Sequence, residues 1–477
     1  MTTTPPRTDS VPAHRTGLLI SVLVGAAFVM ILNETILSVA LRGLSVDLAV
    51  PTTTVQWLTS GFLLTMAVVI PTTGYLLDRF TPRQVFLASL GTFTAGTAVS
   101  GFAPGFEVLL AGRIVQAVGT AMMIPLLMTT ILRLVPQERR GATMGTITIV
   151  IAVAPAIGPT IGGAVLAGLG WRWMFWLVLP LAVAALAVGA RFLRLDGGGR
   201  PVPLDVLSVI LSAVGFGGLV YGLSAIGKGS GGGIPPWVPV VAGLVALALF
   251  VARQLRLQRE SRALLDLRPF QKRPFVVALV LTALVLLSLI GVAAVLLPLY
   301  LQTVMGVSTV VSGLAVLPGG LLLGLLGRPV GALFDRVGAR PLVIPGAVLM
   351  AAGLGLFSTM GPATPLWVVI AYHLVLMGGL SLMMTPLMTE ALGSLPDSLY
   401  SHGSAILSTL QQVAGAMGTA LFVTVAATGS APGGPSPDAA GLHAAFAVAG
   451  GVGVVAVLLS LLVRGRTGAV RPEVTMH

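Results

Sequence analysis

The feature that most constrains this chain is a succession of apolar runs of roughly 20 residues, separated by short breaks that carry most of the charge. Of its 477 residues 56% are hydrophobic and only 9% are charged. A soluble domain carries about 25% charged residues, so a water-facing surface of ordinary polarity cannot be built from this composition. Lipid must be the solvent for most of the outside, and an all-α integral membrane protein follows. A soluble protein with an oversized core is the competing reading, and the low charge content argues against it.

Cutting at the charged or Gly/Pro-rich breaks gives about fourteen runs. Six lie near 17–41, 54–77, 83–103, 106–132, 141–168 and 172–193, and two near 205–226 and 236–256. The last six lie near 274–302, 308–334, 340–360, 364–391, 402–428 and 441–463. With the N-terminus inside, the breaks at 78–83, 133–140, 191–200, 253–273 and 335–340 and the tail after Val463 are all cytoplasmic. Nearly all Arg and Lys fall there, whereas outside breaks hold only Arg42, Arg172 and Lys228. Missing one span would invert every later loop and destroy this asymmetry. The net charge of +12 therefore belongs to membrane orientation, and no nucleic-acid partner is expected. The first run is too long for a signal-peptide core and is read as a span. The absence of cysteine excludes disulfides, thiolate metal sites and cysteine nucleophiles.

Gly74-x3-Asp78-Arg79-x3-Arg83 follows the second run, and Gly331-x3-Asp335-Arg336-x3-Arg340 follows the tenth with identical spacing. Pro136 and Gly141 are echoed more weakly by Pro396 and Gly403. Two copies in matching topological positions point to duplicated six-helix halves with two helices inserted between them. The expected organisation is a tail at 1–16, a bundle at 17–193, a linker with the inserted helices at 194–273, a second bundle at 274–463 and a tail at 464–477.

Ionisable groups at membrane depth are costly and mark function by default. Among the acids only Glu34 sits well inside a run, and among the bases only Arg113. Glu34 lies seven positions before Leu41 and Arg113 seven after Phe106, so both sit roughly 10 Å below the outer boundary. A facing pair or a shared polar cavity is geometrically possible. Glu34 is expected to hold a proton or a cationic substrate in alternation, since burial favours its neutral form and a nearby Arg its anion. A static ion pair joining two helices is the structural alternative.

The fifth run carries Pro155, Gly158, Pro159, Gly162 and Gly163 at its centre. Small residues at this spacing admit close helix contact and proline bends a helix, so packing and a gate bend are both expected. Asp78 is paired in type and spacing with Asp335, and an acid is favourable beside a helix N-terminus, so a latch between the halves that holds the inward side shut is expected, against the simpler reading of a positive-inside turn.

Together these residues resemble the major facilitator superfamily, and within it the fourteen-span drug:proton antiporter branch. Leu32 to Leu41 is similar to that branch's first-span motif, and Trp57, Pro71, Gly74, Asp78 and Arg79 to its second span and loop. Arg113-x2-Gln116-x2-Gly119 resembles the fourth-span motif, whose Arg is assigned to proton transfer, and Gly158-Pro159-x2-Gly162-Gly163 the fifth-span antiporter motif. Trp171 to Phe175 and Pro298 to Gln302 match as well. The usual first-span Asp is Asn33 here, with the acid one place later at Glu34; Ala117, Ser38 and Arg42 are further departures.

The resemblance implies two six-helix bundles plus two inserted helices, with a cavity between the halves. It places Met30, Asn33, Gln56, Trp57, Phe62, Gln116, Met122, Met123, Tyr300, Gln302, His373, Met377 and Gln411 as candidate wall residues. Methionines and aromatics suit varied apolar ligands and equally fill helix interfaces. His373 is read either as a packing residue or as a second titrating group.

The expected function is export of amphipathic or cationic organic compounds, driven by the proton gradient, with no cofactor and as a monomer. Export of one native metabolite, lipid or peptide is the alternative. No Walker A sequence is present, which argues against ATP-driven pumping. A membrane enzyme or receptor is a remote reading, for no cluster of His, Asp or Ser lies at membrane depth. The richness in Ala, Gly, Val and Arg points to a bacterium, and the positive-inside pattern to both termini on the cytoplasmic side of its plasma membrane.

Overall fold

Within a bilayer each backbone N–H and C=O must find its partner inside the segment or in a closed barrel, and these apolar runs resolve the demand as helices. The computed structural model describes residues 13–192, 203–228, 235–260, 262–361, 363–430 and 437–464. Residues 1–12 of the expected N-terminal tail, 194–202 of the linker and 465–477 of the expected C-terminal tail lie outside the described residues. Among the described residues no strand occurs.

The long helices are α1 (Ala13–Asp47), α2 (Trp57–Arg79), α3 (Pro82–Gly101), α4 (Phe106–Leu134), α5 (Arg140–Leu169), α6 (Trp173–Phe192) and α7 (Val206–Lys228). They continue with α8 (Trp237–Arg259), α9 (Arg273–Thr303), α10 (Thr309–Val337), α11 (Arg340–Phe357), α12 (Leu366–Gly393), α13 (Tyr400–Thr428) and α14 (Ala439–Ser460). Thirteen of the helices among the described residues are long and apolar enough to cross a membrane. The one that falls short is α3. Its Ser89, Thr97 and Ser100 are buried, and Ser89 donates to the Gly119 carbonyl of α4 at 2.7 Å. Its polar residues thus lower the mean hydropathy while facing protein, with Gly96, Gly112 and Gly119 bringing the two backbones together. A Thr81 capping box starts α3.

Helices α1–α6 pack among themselves, and so do α9–α14. Between these sets the largest contact is α5 against α10, made by glycines. A Cβ added at Gly145 would lie 2.2 Å from the Gly327 carbonyl oxygen, and one at Gly331 would lie 2.0 Å from that of Gly141. Farther along, Gly324 meets Val153 and Gly320 meets Ala156. The breaks rich in Arg therefore gather at one end, hereafter the basic end, and the sets are joined there. At the opposite end the first set keeps a separate core of Ile36, Leu37, Leu44, Leu58, Trp171, Met174 and Phe175.

Helix α9 is interrupted by a π-helical stretch, Leu289–Leu296. Pro298 follows it and cannot donate to the preceding turn, and the wider turn makes room for its ring. Gly291 of this stretch lies against Gly418 of α13. The inserted pair packs through Gly215, Gly218, Gly222 and Gly243, with α7 touching α2 on one side and α13 on the other.

The register of the two halves is legible in the element bounds. Helix α4 begins at Phe106 and α12 at Leu366; short 3-10 turns follow at Gln137–Arg139 and Asp397–Leu399; α5 begins at Arg140 and α13 at Tyr400. All three pairs are 260 positions apart. Pro136 thus corresponds to Pro396 as the sequence suggests, but Gly141 corresponds to Ser401 and not to Gly403.

Candidate functional site

Two polar centres stand out, one at membrane depth in the first half and one at the basic end. The first is built on α4, where Arg113 is fully buried. Its Nη1 donates to Gln116 Oε1 at 2.9 Å and to Asn33 Oδ1 at 3.3 Å, and its Nε donates to the Leu58 carbonyl at 3.4 Å. Gln116 in turn donates from Nε2 to Asn33 Oδ1 at 3.1 Å and to Thr97 Oγ1 at 2.7 Å. The guanidinium carbon lies 4.1 Å from the centre of the Phe62 ring, a cation–π contact strengthened by the burial of both groups. Every acceptor of Arg113 here is neutral. The Nη2 of Arg113 has no hydrogen-bond partner among the described residues.

Glu34 is the next residue on α1, turned about 100° from Asn33. It is half-buried, and no ion pair joins it to Arg113. The sequence left open whether they touch; the helix phase answers it, for Asn33 occupies the position that faces Arg113. Thr35, another step round, donates to the Ala154 carbonyl of α5 at 3.3 Å. Gly158 and Gly162 present bare backbone to this face of α1: Cβ atoms there would meet Thr35 and the Ile36 carbonyl. Ala152 and Ala156 face the other way, toward α10. Pro155 and Pro159 are exposed and fall between the α1 face and the α10 face on the helical wheel. Gly163 meets no atom within 4 Å. The helix is continuous through both prolines.

The second centre pairs the two acids of the repeated loops. Asp335 accepts backbone N–H bonds from Gly141 at 2.7 Å and Ala142 at 2.9 Å, in the first turn of α5. Asp78 faces His402 Nε2 at 3.0 Å and accepts from Ser401 Oγ at 2.5 Å, in the first turn of α13. Ser401 and His402 are 260 positions after Gly141 and Ala142, so each acid grips the same two positions of the opposite half. One grip uses backbone amides and the other uses side chains. Nearby, Arg133 donates to Ser401 at 3.3 Å, Arg140 to Tyr400 at 3.1 Å, and Thr129 bonds Ser404 at 2.9 Å. Deeper, Thr148 bonds Thr385 at 2.7 Å. Gly74 lets His402 approach: a Cβ there would lie 2.8 Å from Nδ1. Arg83 donates instead to the Ala190 carbonyl of α6, and Arg79 to Tyr75, while Arg336 is exposed.

The remaining wall candidates scatter. Met30, Met122 and Met123 are buried in the main core. Gln56 is half-buried. Trp57 is 41% exposed and stacks on Tyr221 of the inserted helix α7, with ring centres 6.0 Å apart. Tyr300 is buried between α9 and α14, 6.1 Å from His443 and 5.8 Å from Phe446. Gln302 is exposed near Ser312. His373 and Met377 pack on the bare backbone of Gly319, and neither ring nitrogen of His373 has a partner among the described residues. By the 260-residue register His373 is the counterpart of Arg113. Gln411 is half-buried with its Nε2 unpartnered among the described residues.

Sequence reasoning missed Ser401 and His402. The echo of Pro136 at Pro396 marked their segment, but pairing Gly141 with Gly403 set the register two residues off. Thr97 gave no sign, because a lone threonine in an apolar run is commonplace. No group of three or more His, Cys, Asp or Glu suited to a metal occurs among the described residues.

The family profile described as Major Facilitator Superfamily matches residues 23–419. The chain is 41% identical over 414 residues to the lincomycin resistance protein LmrB of Bacillus subtilis, covering 86% of this chain and 85% of that protein. It is 32% identical over 394 residues to the multidrug resistance protein B homolog of Mycobacterium tuberculosis, covering 82% of this chain and 72% of that one. Among solved structures, the human organic anion transporter MFSD10 superposes with a TM-score of 0.65 at 17% identity, covering 94% of this chain and all of that one. The proton:xylose symporter XylE superposes with a TM-score of 0.65 at 16% identity, covering 95% and 97%. The profile match over most of the chain, the extent of these identities and the shared helical fold together establish that the chain belongs to the major facilitator superfamily of membrane transporters.

Proposed function

We propose that this transporter exports amphipathic or cationic organic compounds, drugs among them, in exchange for protons by alternating access. Relatives named for lincomycin and multidrug resistance support the substrate class. The observation that carries the coupling is Glu34: a half-buried carboxyl at membrane depth, without a direct counter-ion, beside a buried Arg113 whose acceptors are all neutral. Such a carboxyl can take up a proton or pair with a cationic substrate without first breaking a salt bridge. Substrate would enter the gap between the halves, where half-buried Glu34 and Gln411 are the candidates for its wall, with Asn33, Phe62, Arg113 and Gln116 buried beside Glu34.

The Asp78 and Asp335 contacts act in this reading as two locks that close the basic end. The positive-inside pattern supports a cytoplasmic basic end, and in this reading the conformation faces outward. Fourteen spans, counting α3, bring both termini to the cytoplasmic side of a bacterial plasma membrane. The chain works as a monomer and needs no cofactor beyond the proton gradient.

The test is flux in proteoliposomes under an imposed pH gradient, with lincomycin, cationic dyes and neutral amphiphiles in parallel. Glu34→Gln should reduce gradient-driven flux to the passive leak while the protein remains in the membrane. Unchanged flux in that variant would remove the coupling role. Transport confined to lincomycin would narrow the substrate class to one kind of antibiotic.

A further inference from the structure

His402 has a third neighbour that the gate described above does not use. Its Nδ1 accepts a hydrogen bond from the backbone N–H of Asp266 at 3.2 Å, while its Nε2 faces Asp78 at 3.0 Å. A ring nitrogen that accepts cannot carry the proton, so this contact places the imidazole hydrogen on Nε2, where it donates to Asp78. Asp266 lies in the segment that follows the inserted pair of helices. It sits at the start of a side-chain pair with Arg268, and Leu264 and Leu265 beside it are buried.

That segment is held by α8. Leu265 N–H donates to Gln254 Oε1 at 3.2 Å, and Leu267 N–H donates to Gln258 Oε1 at 3.1 Å. The two glutamines lie one helical turn apart and bind alternate amides, leaving the Asp266 N–H between them turned toward His402. Gln254 is itself fixed: it is fully buried and donates from Nε2 to Ser208 Oγ of α7 at 2.7 Å. Ser208 bonds Asp205, which is clamped by Arg253 through two bonds of 2.6 and 2.7 Å. A continuous chain of hydrogen bonds thus runs from the base of the inserted hairpin through a backbone segment to the imidazole and on to Asp78.

We propose that the inserted hairpin is the positioning element of the Asp78–His402 lock: Gln254 and Gln258 hold the 265–267 backbone so that Asp266 N–H fixes the His402 tautomer that Asp78 requires. This rests on the reading of Asp78 as a lock on the basic end. It gives the two inserted helices a role in the transport cycle that membrane anchoring alone would not. It also accounts for a difference between the halves. Asp335 meets backbone amides, whose donor direction is fixed by the helix, and needs no such support. Asp78 meets an imidazole, whose donor can sit on either nitrogen and must be assigned.

The chain contains no cysteine, so a spin-label pair at Glu138→Cys and Ser398→Cys reports the basic end alone; both residues are exposed there. Electron–electron distance measurements in nanodiscs should show Asp78→Asn raising the population with a separated basic end. Gln254→Met, close in volume, loses its bonds to Leu265 and Ser208 and should raise it at least about fivefold, the factor for one lost hydrogen bond, and Gln258→Met should act in the same direction. In the Asp78→Asn background Gln254→Met should add nothing, because the tautomer no longer matters. Nitrogen-15 spectra of labelled histidine should show His402 as a single Nε2–H tautomer in the parent and a tautomer mixture in Gln254→Met.

If Asp78→Asn leaves the distances unchanged, the lock fails and this proposal with it. If Asp78→Asn shifts them and neither glutamine variant does, the lock stands and the positioning role is overturned. Additive shifts in the double variant, or an unchanged His402 tautomer, also overturn it, since they assign Gln254 to general packing.

Discussion

A guanidinium buried at membrane depth needs acceptors, and Arg113 takes them from Asn33, Gln116 and the Leu58 carbonyl. A carboxylate at position 33 would form a charge-assisted pair with Arg113, stronger than a neutral bond and harder to break during turnover. The placement of Asn33 avoids that pair and leaves Glu34 without a direct counter-ion. Asn33→Asp is therefore expected to slow gradient-driven flux. Combining it with Glu34→Gln returns an acid to the face of α1 toward Arg113, and should restore coupling to within about tenfold of the parent, equivalent to ~1.4 kcal/mol. Initial rates of pH-driven uptake in the four proteins decide it; a double variant as inactive as Glu34→Gln would show that position 34 itself is required. The placement of Glu34 and Arg113 at membrane depth was legible in the sequence because so few charges lie inside apolar runs. Their failure to touch was not, because equal depth says nothing of helix phase.

Among the elements, α5 and α10 meet through glycines so closely that a single methyl group is too much. Gly331→Ala places a Cβ 2.0 Å from a carbonyl oxygen on α5, and overpacking of this kind costs about 1–3 kcal/mol. In the proposed alternating-access cycle the contact belongs to the closed basic end, so the cost falls on that state, and a shift of roughly 5- to 150-fold toward the open one is expected. Cysteine accessibility at the basic end, measured in membranes, checks the direction. The base of the α7–α8 hairpin offers a second test. The hydrogen bond from Arg253, aided by those from Ser208, holds Asp205 well below the usual carboxylate range. A depressed acid stabilises the fold above its ordinary value of about 3.9 and loses that contribution only as pH falls through the lowered value. Hydrogen-exchange protection in α7, corrected for the intrinsic pH dependence of exchange, should thus be constant between neutral and mildly acidic conditions, and Asp205→Asn should lower it throughout.

At the scale of the molecule, the helix positions follow the apolar runs closely, because lipid leaves a backbone few alternatives. The exception in hydropathy, α3, was nonetheless marked by its flanking charges. The repeated loop motif located Asp78 and Asp335, but what they hold was hidden, since Ser401 and His402 have no likeness to Gly141 and Ala142 and only the register of whole helices relates them. The cavity wall was the least legible part: Trp57, Tyr300 and Gln302 sit against α7, against α14 and at an exposed helix end, for an aromatic or amide in an apolar run does not declare which neighbour it faces. If the two acids close one end together, Asp78→Asn and Asp335→Asn should each favour the open basic end and the double variant should exceed both. Distance measurements between labelled halves would check this, and a double variant no different from either single one would indicate that one lock suffices.

The unlike construction of the two grips carries an evolutionary consequence. The amides that receive Asp335 belong to every residue type except proline, so nearly any replacement at positions 141 and 142 that fits the glycine contacts leaves that bond in place. The partners of Asp78 are side chains, and each can be exchanged by a single codon change. Drift in the resting balance between the open and closed forms proposed above has its easiest route through Ser401 and His402.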